Sequence, residues 1–242
     1  MSMRLGTASL TLALGMLLAG CGSDGGDDMV TVDAALVTLD SGPSCNAAAA
    51  LPANYRDIAM VSTGTVVTTV AGGVTSATID ATAGGLANAA DNPFIYIDLS
   101  SGTKVAIHDA QARIQSSWDI AFKRAVIRVN GGDSGPGNVR VAIVPGATLG
   151  AVTTAPAENI FNVDDWTDDL CALLSTPSGE PLTALADWYD YDSATNRLTP
   201  RAEVYVVRAR SGTLYKLRIL TYYGDPASSM RGALYKVEWA PL

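Results

Sequence analysis

Short segments in which apolar and polar residues alternate recur along most of this chain, and this period of two restricts the folds open to it. The segments are rich in β-branched or aromatic residues and are bounded by turn residues, which is typical of strands. They cover residues 94–99, 104–108, 139–144, 204–210, 214–221 and 235–239. Residues 61–90, rich in Thr, Gly, Val and Ala, predict extra strands. The pattern predicts an all-β protein of antiparallel sheets, and leaves open a sandwich or a partly open barrel.

Turn signals divide the predicted strands into hairpins. Gly102 and Gly212 each lie between two strand patterns, where a hairpin loop needs positive φ.

Between residues 118 and 129 the apolar positions change from even-numbered to odd-numbered residues: Trp118, Ile120 and Phe122 are followed by Ala125, Ile127 and Val129. A strand with one buried face needs an extra residue to change parity, so we expect a β-bulge or sharp bend near Lys123 and Arg124.

One segment has helical spacing, and one or two short helices are expected in the whole chain. Val163, Trp166, Leu170 and Leu173 recur at helical intervals. Four carboxylates, Asp164, Asp165, Asp168 and Asp169, lie between them and favour the first turns of a helix. They lack the spacing of a calcium loop, so a solvated acidic face is the preferred interpretation.

The N-terminus has the pattern of a bacterial lipoprotein. Arg4 precedes an apolar run that ends in Leu18-Ala-Gly-Cys21, and this run is too short to span a bilayer. We therefore expect a signal peptide over residues 1–20, a lipid-modified Cys21, a flexible acidic tether over 21–29 and a single β domain over 30–242. Gly22 follows the cysteine, so an outer-membrane location is expected, at the cell surface or the periplasmic face.

The other two cysteines are candidates for a disulfide. If Cys21 carries lipid, then Cys45 and Cys171 remain, and in an oxidising compartment such a pair usually forms a bond. Two buried free thiols are the alternative. The chain contains no CxxC or mixed Cys/His spacing of the kind that structural zinc sites use.

Charge and motif content point away from nucleic acid and from catalysis. The net charge of −8 would repel phosphates. His108 is the single histidine, so any Ser-His-Asp triad has to use that ring. Nucleophile-elbow, P-loop and dinucleotide fingerprints do not occur. An enzyme is therefore not expected.

One block of sequence resembles a known family. The segment from Trp118 to Gly137 reads WDIAFKRAVIRVNGGDSGPG, which joins a strand pattern to a glycine-rich turn. Weaker matching pieces are Asp187-Trp-Tyr-Asp-Tyr191, residues 204–208, residues 215–219 with Tyr222 and Tyr223, and residues 235–239. Together they resemble the HmuY family of bacterial haem-binding surface lipoproteins, over roughly residues 92–242. The resemblance implies an all-β domain, haem as the ligand, and haem-carrying proteins or an outer-membrane receptor as partners.

The family also implies two iron ligands, histidine or methionine, and these are not evident here. Residues 133–161, where they are expected, contain neither residue type. The remaining candidates are His108, whose other interpretation is an exposed residue at a strand end, and Met230, whose other interpretation is loop packing. Tyr223, like Tyr222, is a candidate to ligate iron or stack on a macrocycle, or else covers a core edge. Met60 is expected in the core.

Two hypotheses follow for the function. The first is a haem-binding lipoprotein that captures and transfers haem. The second is a surface lipoprotein of the same fold that has lost haem ligation and binds a protein partner or another apolar ligand. The resemblance favours the first, and the missing ligands favour the second.

Overall fold

The computed structural model describes residues 45–224 and 231–242, all within one compact unit. Its twelve strands are β1 Val66–Ala71, β2 Val74–Asp80, β3 Ile95–Asp98, β4 Thr103–Val105, β5 Ile120–Lys123, β6 Val126–Val129, β7 Arg140–Pro145, β8 Tyr189–Asp192, β9 Arg197–Pro200, β10 Glu203–Arg208, β11 Leu214–Thr221 and β12 Leu234–Pro241. The two α-helices, α1 Ala47–Ala50 and α2 Asp109–Ala112, have one turn each. Short 3₁₀ turns cover Ala53–Tyr55, Leu86–Asp91, Leu149–Ala151 and Glu158–Ile160. The prediction of an all-β fold with few short helices is confirmed.

The strands form two packed sheets and a separate hairpin, and all the strand pairings are antiparallel. The six-stranded sheet has the order β1-β2-β12-β11-β10-β7, the four-stranded sheet has the order β4-β3-β5-β6, and β8 pairs with β9. Ile79 and Leu217 from the first sheet share one buried cluster with Ile120 and Phe122 from the second. The sheets therefore pack face to face and do not close into a barrel.

The strongly periodic segments fold as expected. β11 has the predicted bounds, and Gly102 and Gly212 lie in hairpin loops with φ of 68° and 84°. β1 and β2 occupy part of the 61–90 region. β4 is shorter than the 104–108 segment, because the chain leaves the sheet after Val105 and α2 begins at Asp109.

The parity change marks a hairpin turn, and the expected bulge within one strand is wrong. β5 and β6 pair with each other, with Lys123 opposite Val126, so Arg124 and Ala125 form a two-residue turn. Arg124 has φ of 50°, which such a tight turn requires. The chain therefore reverses, and both parity sets can face the same core. Trp118 lies before β5 and packs on the other side of the sheet.

The predicted helix over residues 163–173 is absent, and its acidic residues are not all solvated. Isolated bridges join Gly132 to Asp164 and Thr167 to Leu173. The Asp168 carboxylate accepts backbone N–H bonds from Leu170 at 2.9 Å and Ala172 at 2.8 Å. Such side-chain bonds to the backbone compete with the helical ladder, which explains the failure of the spacing signal.

Asp164 is fully buried, and its carboxylate joins the end of β6 to two loops. Its carboxylate accepts N–H bonds from Val129 at 2.9 Å and Ala184 at 2.9 Å, and an O–H bond from Ser134. Burial raises the pKa of Asp164 to about 6. The residue is therefore a structural anchor, contrary to the expected solvated face.

The second face of the four-stranded sheet carries a smaller buried group, here named the outer layer. It contains Phe94, Tyr96, Ile107, Ala112, Trp118, Ala121 and Val126, together with the charged Asp109, Lys123 and Arg128. Residues 45–60, here named the cover segment, lie over it. Ile58 donates its N–H to the Asp109 carboxylate at 3.0 Å, and Arg128 donates to the Tyr55 carbonyl at 3.1 Å. The N-terminal part of the described chain thus seals a second, partly charged core.

The described helices are far shorter than a bilayer-crossing helix, and none is a candidate for a membrane span.

Candidate functional site

The turn between β5 and β6 is fixed from several sides. The Arg124 N–H donates to the Ala81 carbonyl at 3.0 Å, and the Arg124 carbonyl accepts from the Tyr235 hydroxyl at 2.7 Å. The Trp188 indole N–H donates to the Ala125 carbonyl at 2.8 Å. The two-residue turn is therefore held at a defined place against the six-stranded sheet, and so is the start of the Arg124 side chain.

Arg124 is an unusual residue for this conformation. A left-handed backbone at a non-glycine residue costs about 1 kcal/mol, and such strain tends to concentrate at functional sites. Among the described residues, the Arg124 guanidinium has neither a hydrogen bond nor an ion pair, although eight ion pairs occur elsewhere. A rigid backbone thus presents a positive group that the fold itself does not neutralise.

Arg124 lies in the wall of a surface cavity of about 480 Å³. The other described lining residues are Thr82, Gly84, Gly85, Leu86, Arg231 and Gly232. The lining thus comes from the loop after β2, the β5–β6 turn and the chain leading into β12. The Leu86 side chain is 75% exposed, so the cavity combines an apolar group with two guanidinium groups.

Arg231 is placed by an acidic neighbour. Its guanidinium lies 3.1 Å from one carboxylate oxygen of Asp80, and the other oxygen of Asp80 accepts from the N–H and hydroxyl of Thr82 at 3.1 and 2.7 Å. Asp80 therefore orients two parts of the cavity wall at once. Among the described residues, this one carboxylate offsets one of the two arginine charges, which leaves the described lining with a net positive charge.

Gly232 packs directly on the ring of Tyr222. A methyl group added at Gly232 would lie 2.7 Å from a carbon of that ring, which is closer than side chains pack. Burial raises the pKa of Tyr222 to about 12, so the phenol stays protonated at neutral pH. Tyr222 therefore packs behind Gly232 of the cavity lining as an uncharged aromatic ring.

His108 caps a helix. Its Nδ1 accepts the Gln111 N–H at 3.3 Å, and the Gln111 side chain accepts the His108 N–H at 3.2 Å, which forms a capping box at α2. A neutral imidazole that accepts through Nδ1 carries its proton on Nε2. In this arrangement neither ring nitrogen offers a lone pair to a metal. His108 is half-buried, and it lies beyond the end of β4.

Tyr223 is occupied by contacts within the fold. Its hydroxyl accepts the Leu198 N–H at 2.9 Å, and the Arg197 guanidinium lies 4.8 Å from the centre of its ring. Only 8% of the residue is exposed. Among the described residues, no hydrogen bond or ring contact joins Tyr223 to His108, so the structure does not bring these two candidates together.

Two predicted site residues lie outside the described residues, namely Cys21 and Met230. Met230 precedes Arg231 in the sequence. Met60, expected in the core, is 47% exposed on the cover segment, so that expectation is wrong.

Cys45 and Cys171 form a disulfide, with Cα atoms 5.2 Å apart. This bond fastens the start of the cover segment to the loop after β7. The disulfide therefore stabilises the covering of the outer layer, and it does not contribute to the cavity.

Sequence reasoning missed both cavity arginines. The available signal was the parity change beside Arg124, interpreted above as a bulge. Within the described ranges, no group of three or more His, Cys, Asp or Glu side chains is arranged to hold a metal ion.

The fold is an all-β domain of packed antiparallel sheets, with a surface cavity beside the β5–β6 turn. A family model for the HmuY protein matches residues 90–234, more than half of the chain. The chain belongs to the HmuY family, which is a family of binding proteins.

Solved structures give weaker likenesses. A protein of Bacteroides fragilis assigned as a lipoprotein has 20% identity and a TM-score of 0.49, covering 73% of this chain and 94% of that one. A protein of Bacteroides vulgatus assigned as HmuY-like and haem-binding has 20% identity and a TM-score of 0.47, covering 73% and 96%. The apo HmuY analogue of Tannerella forsythia has 18% identity and a TM-score of 0.49, covering 73% and 97%. The chain matches no curated protein.

Proposed function

We propose that this protein is a non-catalytic haem-binding lipoprotein that captures haem at the outer membrane and transfers it to a haem-carrying partner or receptor. Membership of the HmuY family supports haem as the ligand. The observation that carries the proposal is the cavity at the β5–β6 turn, with the unpaired guanidinium of Arg124 in its wall.

The cavity suits a flat amphipathic ligand. Its volume of about 480 Å³ lies in the range of small-molecule sites, which combine apolar walls with a few placed polar groups. Leu86 offers an apolar contact, and Gly85, where an added Cβ atom would meet no atom within 4 Å, has no side chain that would fill the opening. A macrocycle with acidic substituents can therefore meet both the apolar and the positive parts.

Met230 is the preferred candidate for the iron ligand. It is next to the cavity residue Arg231 in sequence, and a thioether needs no deprotonation to bind iron. His108 ranks second because it has to give up the helix cap before a ring nitrogen can bind iron. Tyr223 ranks third because its hydroxyl already accepts a backbone bond.

A haem titration tests the function. The chain beginning at Gly22, which lacks the lipidated cysteine, is titrated with ferric and then ferrous haem, and the Soret band is followed. We expect a saturable one-to-one shift. A spectrum that never saturates and matches free haem would refute haem capture.

Single variants then identify the ligand. Met230→Ala is expected to change the position of the Soret band, whereas Met60→Ala, which removes an exposed methionine on the cover segment, leaves it unchanged. His108→Asn keeps a side chain that can cap α2, so an altered spectrum in this variant would assign the ligand to the imidazole.

The alternative is a lipoprotein of the same fold that has lost haem ligation and binds a protein partner or another apolar ligand. The helix cap made by His108 favours it, because this ring is already used. Absence of a Soret shift together with retained binding of an apolar probe in the cavity would select this alternative.

The membrane anchor is tested separately. Cells that express the full chain are labelled with an alkyne fatty acid, and we expect label on the wild-type protein and none on Cys21→Ser. Equal labelling of both proteins would refute lipidation at Cys21.

A further inference from the structure

The two cavity arginines are exceptional in a chain with a net charge of −8. A dianionic ligand is repelled by the surface as a whole, so local positive charge is needed to hold it. Arg124 and Arg231 provide this charge from chain positions more than a hundred residues apart, and both line the same cavity.

The two guanidinium groups differ in how the fold prepares them. Arg231 shares the Asp80 carboxylate, and its side chain remains 63% exposed. Arg124 has no partner among the described residues, while its backbone is fixed by Ala81 and Tyr235. One arginine is thus oriented by a side chain and the other by its own strained backbone.

We infer that the cavity recognises its ligand through two carboxylates, one paired with Arg124 and the other with Arg231, whether or not the ligand carries a metal. The ligand class is a flat apolar dicarboxylate such as a porphyrin, with the ring against Leu86 and the glycine backbone. This inference rests on the haem site proposed above. Guanidinium groups bind carboxylates through strong, charge-assisted hydrogen bonds. The ligand therefore needs free, ionised carboxylates, and an ester cannot replace them.

A ligand pair tests the role of the carboxylates. Metal-free protoporphyrin IX and its dimethyl ester share the same ring, and only the first carries negative charge. Porphyrin fluorescence is followed as the chain beginning at Gly22 is added. We expect the acid to bind saturably, the ester to bind at least about tenfold more weakly, and the difference to shrink at high salt. Equal binding of acid and ester would overturn the inference.

A variant that relieves strain tests Arg124. Arg124→Gly removes the guanidinium and places a residue suited to positive φ in the turn, so the fold is not weakened. We expect about tenfold weaker binding of the acid porphyrin and no change for the ester. Arg124→Gly that binds the acid as wild type does would overturn the inference.

Two controls separate charge from backbone effects. Arg140→Ala removes an arginine on β7, outside the cavity lining, and is expected to leave binding unchanged. Asn196→Gly relieves the same kind of backbone strain, at φ of 54°, in the β8–β9 turn, and is also expected to bind normally. If either control weakened porphyrin binding as much as Arg124→Gly does, the assignment of carboxylate recognition to the cavity would be overturned.

The outcomes distinguish this inference from the proposed function. If haem binds while the acid porphyrin does not, iron is the recognised group, and the inference fails while the function stands. If haem and both porphyrins bind equally, the inference again fails alone. If neither haem nor the acid porphyrin binds, the proposed function fails and the inference falls with it.

Discussion

The two faces of the four-stranded sheet are buried in different ways, although they use alternate residues of the same strands. The inner face presents Ile120 and Phe122 to the six-stranded sheet in an apolar cluster. The outer face presents Lys123 and Arg128 to the cover segment. The inner face is stabilised by the burial of apolar surface, which is not directional, whereas the outer face needs specific hydrogen-bond and charge partners. The comparison shows that one period-two pattern can support two cores. We expect these two cores to differ in how well they tolerate substitution.

The outer layer depends on a small number of bonds. Asp109 accepts from the Phe94 N–H at 3.0 Å, the Tyr96 hydroxyl at 2.8 Å and the Ile58 N–H at 3.0 Å. Arg128 lies 4.0 Å from the centre of the Phe94 ring. Lys123 is fully buried, and its ammonium has no hydrogen-bond partner among the described residues. This layer therefore contains both a strong anchor and an unsatisfied charge.

The largest expected effect is on the inner face. Phe122→Ala leaves a cavity between the sheets and is expected to lower the free energy of unfolding by about 3–5 kcal/mol. Urea denaturation measures the change. Leu220→Ala, at a residue that is 42% exposed on β11, is the control and should cost much less. Similar losses in the two variants would contradict the assignment of Phe122 to the principal core.

The next effect concerns the cover segment. The Cys45–Cys171 bond spans 126 residues, and its removal in Cys45→Ala/Cys171→Ala is expected to cost about 2–4 kcal/mol. Hydrogen exchange should rise first over the cover segment and the outer layer, because the bond fastens that part of the fold. An equal rise over β10 and β11 would show that the two faces are not separable.

A smaller loss is expected at the anchor of the outer layer. Asp109→Asn replaces one accepting oxygen by an amide donor, which then faces either the Ile58 N–H or the Phe94 N–H and Tyr96 O–H, at a cost of about 2–3 kcal/mol. Asp169→Asn is a matched control at an exposed carboxylate. Thermal unfolding of the two variants measures the difference, and equal midpoints would refute the anchoring role of Asp109.

The smallest expected change in the free energy of unfolding is at Lys123, where a substitution is expected to stabilise the protein. Burial lowers the pKa of Lys123 from 10.5 to about 8. The folded protein therefore binds fewer protons than the unfolded chain between pH 8 and 10.5, so the free energy of unfolding rises with pH across that range. The penalty for burying the charged ammonium is fully present below pH 8.

Lys123→Met removes this penalty. The variant is expected to gain about 1–2 kcal/mol at pH 7, with a smaller advantage at pH 10. Urea denaturation at the two pH values measures the gain, and Lys236→Met, at an exposed lysine of β12, is the control. A variant less stable than wild type at pH 7 would show that the Lys123 ammonium has a favourable partner.

The sequence predicts the strands better than the site, for physical reasons. Period two over residues 214–221 reflects burial on one face of β11, which local sequence records directly. The spacing of Trp166 and Leu170 indicates a helix, but side-chain bonds from Asp168 to the backbone override it. The cysteine count anticipates the Cys45–Cys171 bond, whereas its role in fastening the cover segment depends on tertiary structure.

The cavity could not be predicted from any local pattern. Its lining comes from residues 82–86, 124 and 231–232, which the strand order brings together. Even the parity change beside Arg124 indicates only that the chain bends there. Which other segments line the cavity depends on how the strands pair across the sheet. His108 is the single histidine of the sequence, and this rarity gives no information on its helix-capping contact.

The order of the six-stranded sheet also determines when folding can finish. β12 lies between β2 and β11, with Tyr235 opposite Ile79, so the sheet is joined through the last strand of the described residues. Until that strand is available, β1-β2 and β11-β10-β7 are separate pieces with exposed edges. Such long-range pairing slows folding, and a chain cut before β12 would split the sheet in two instead of trimming its edge.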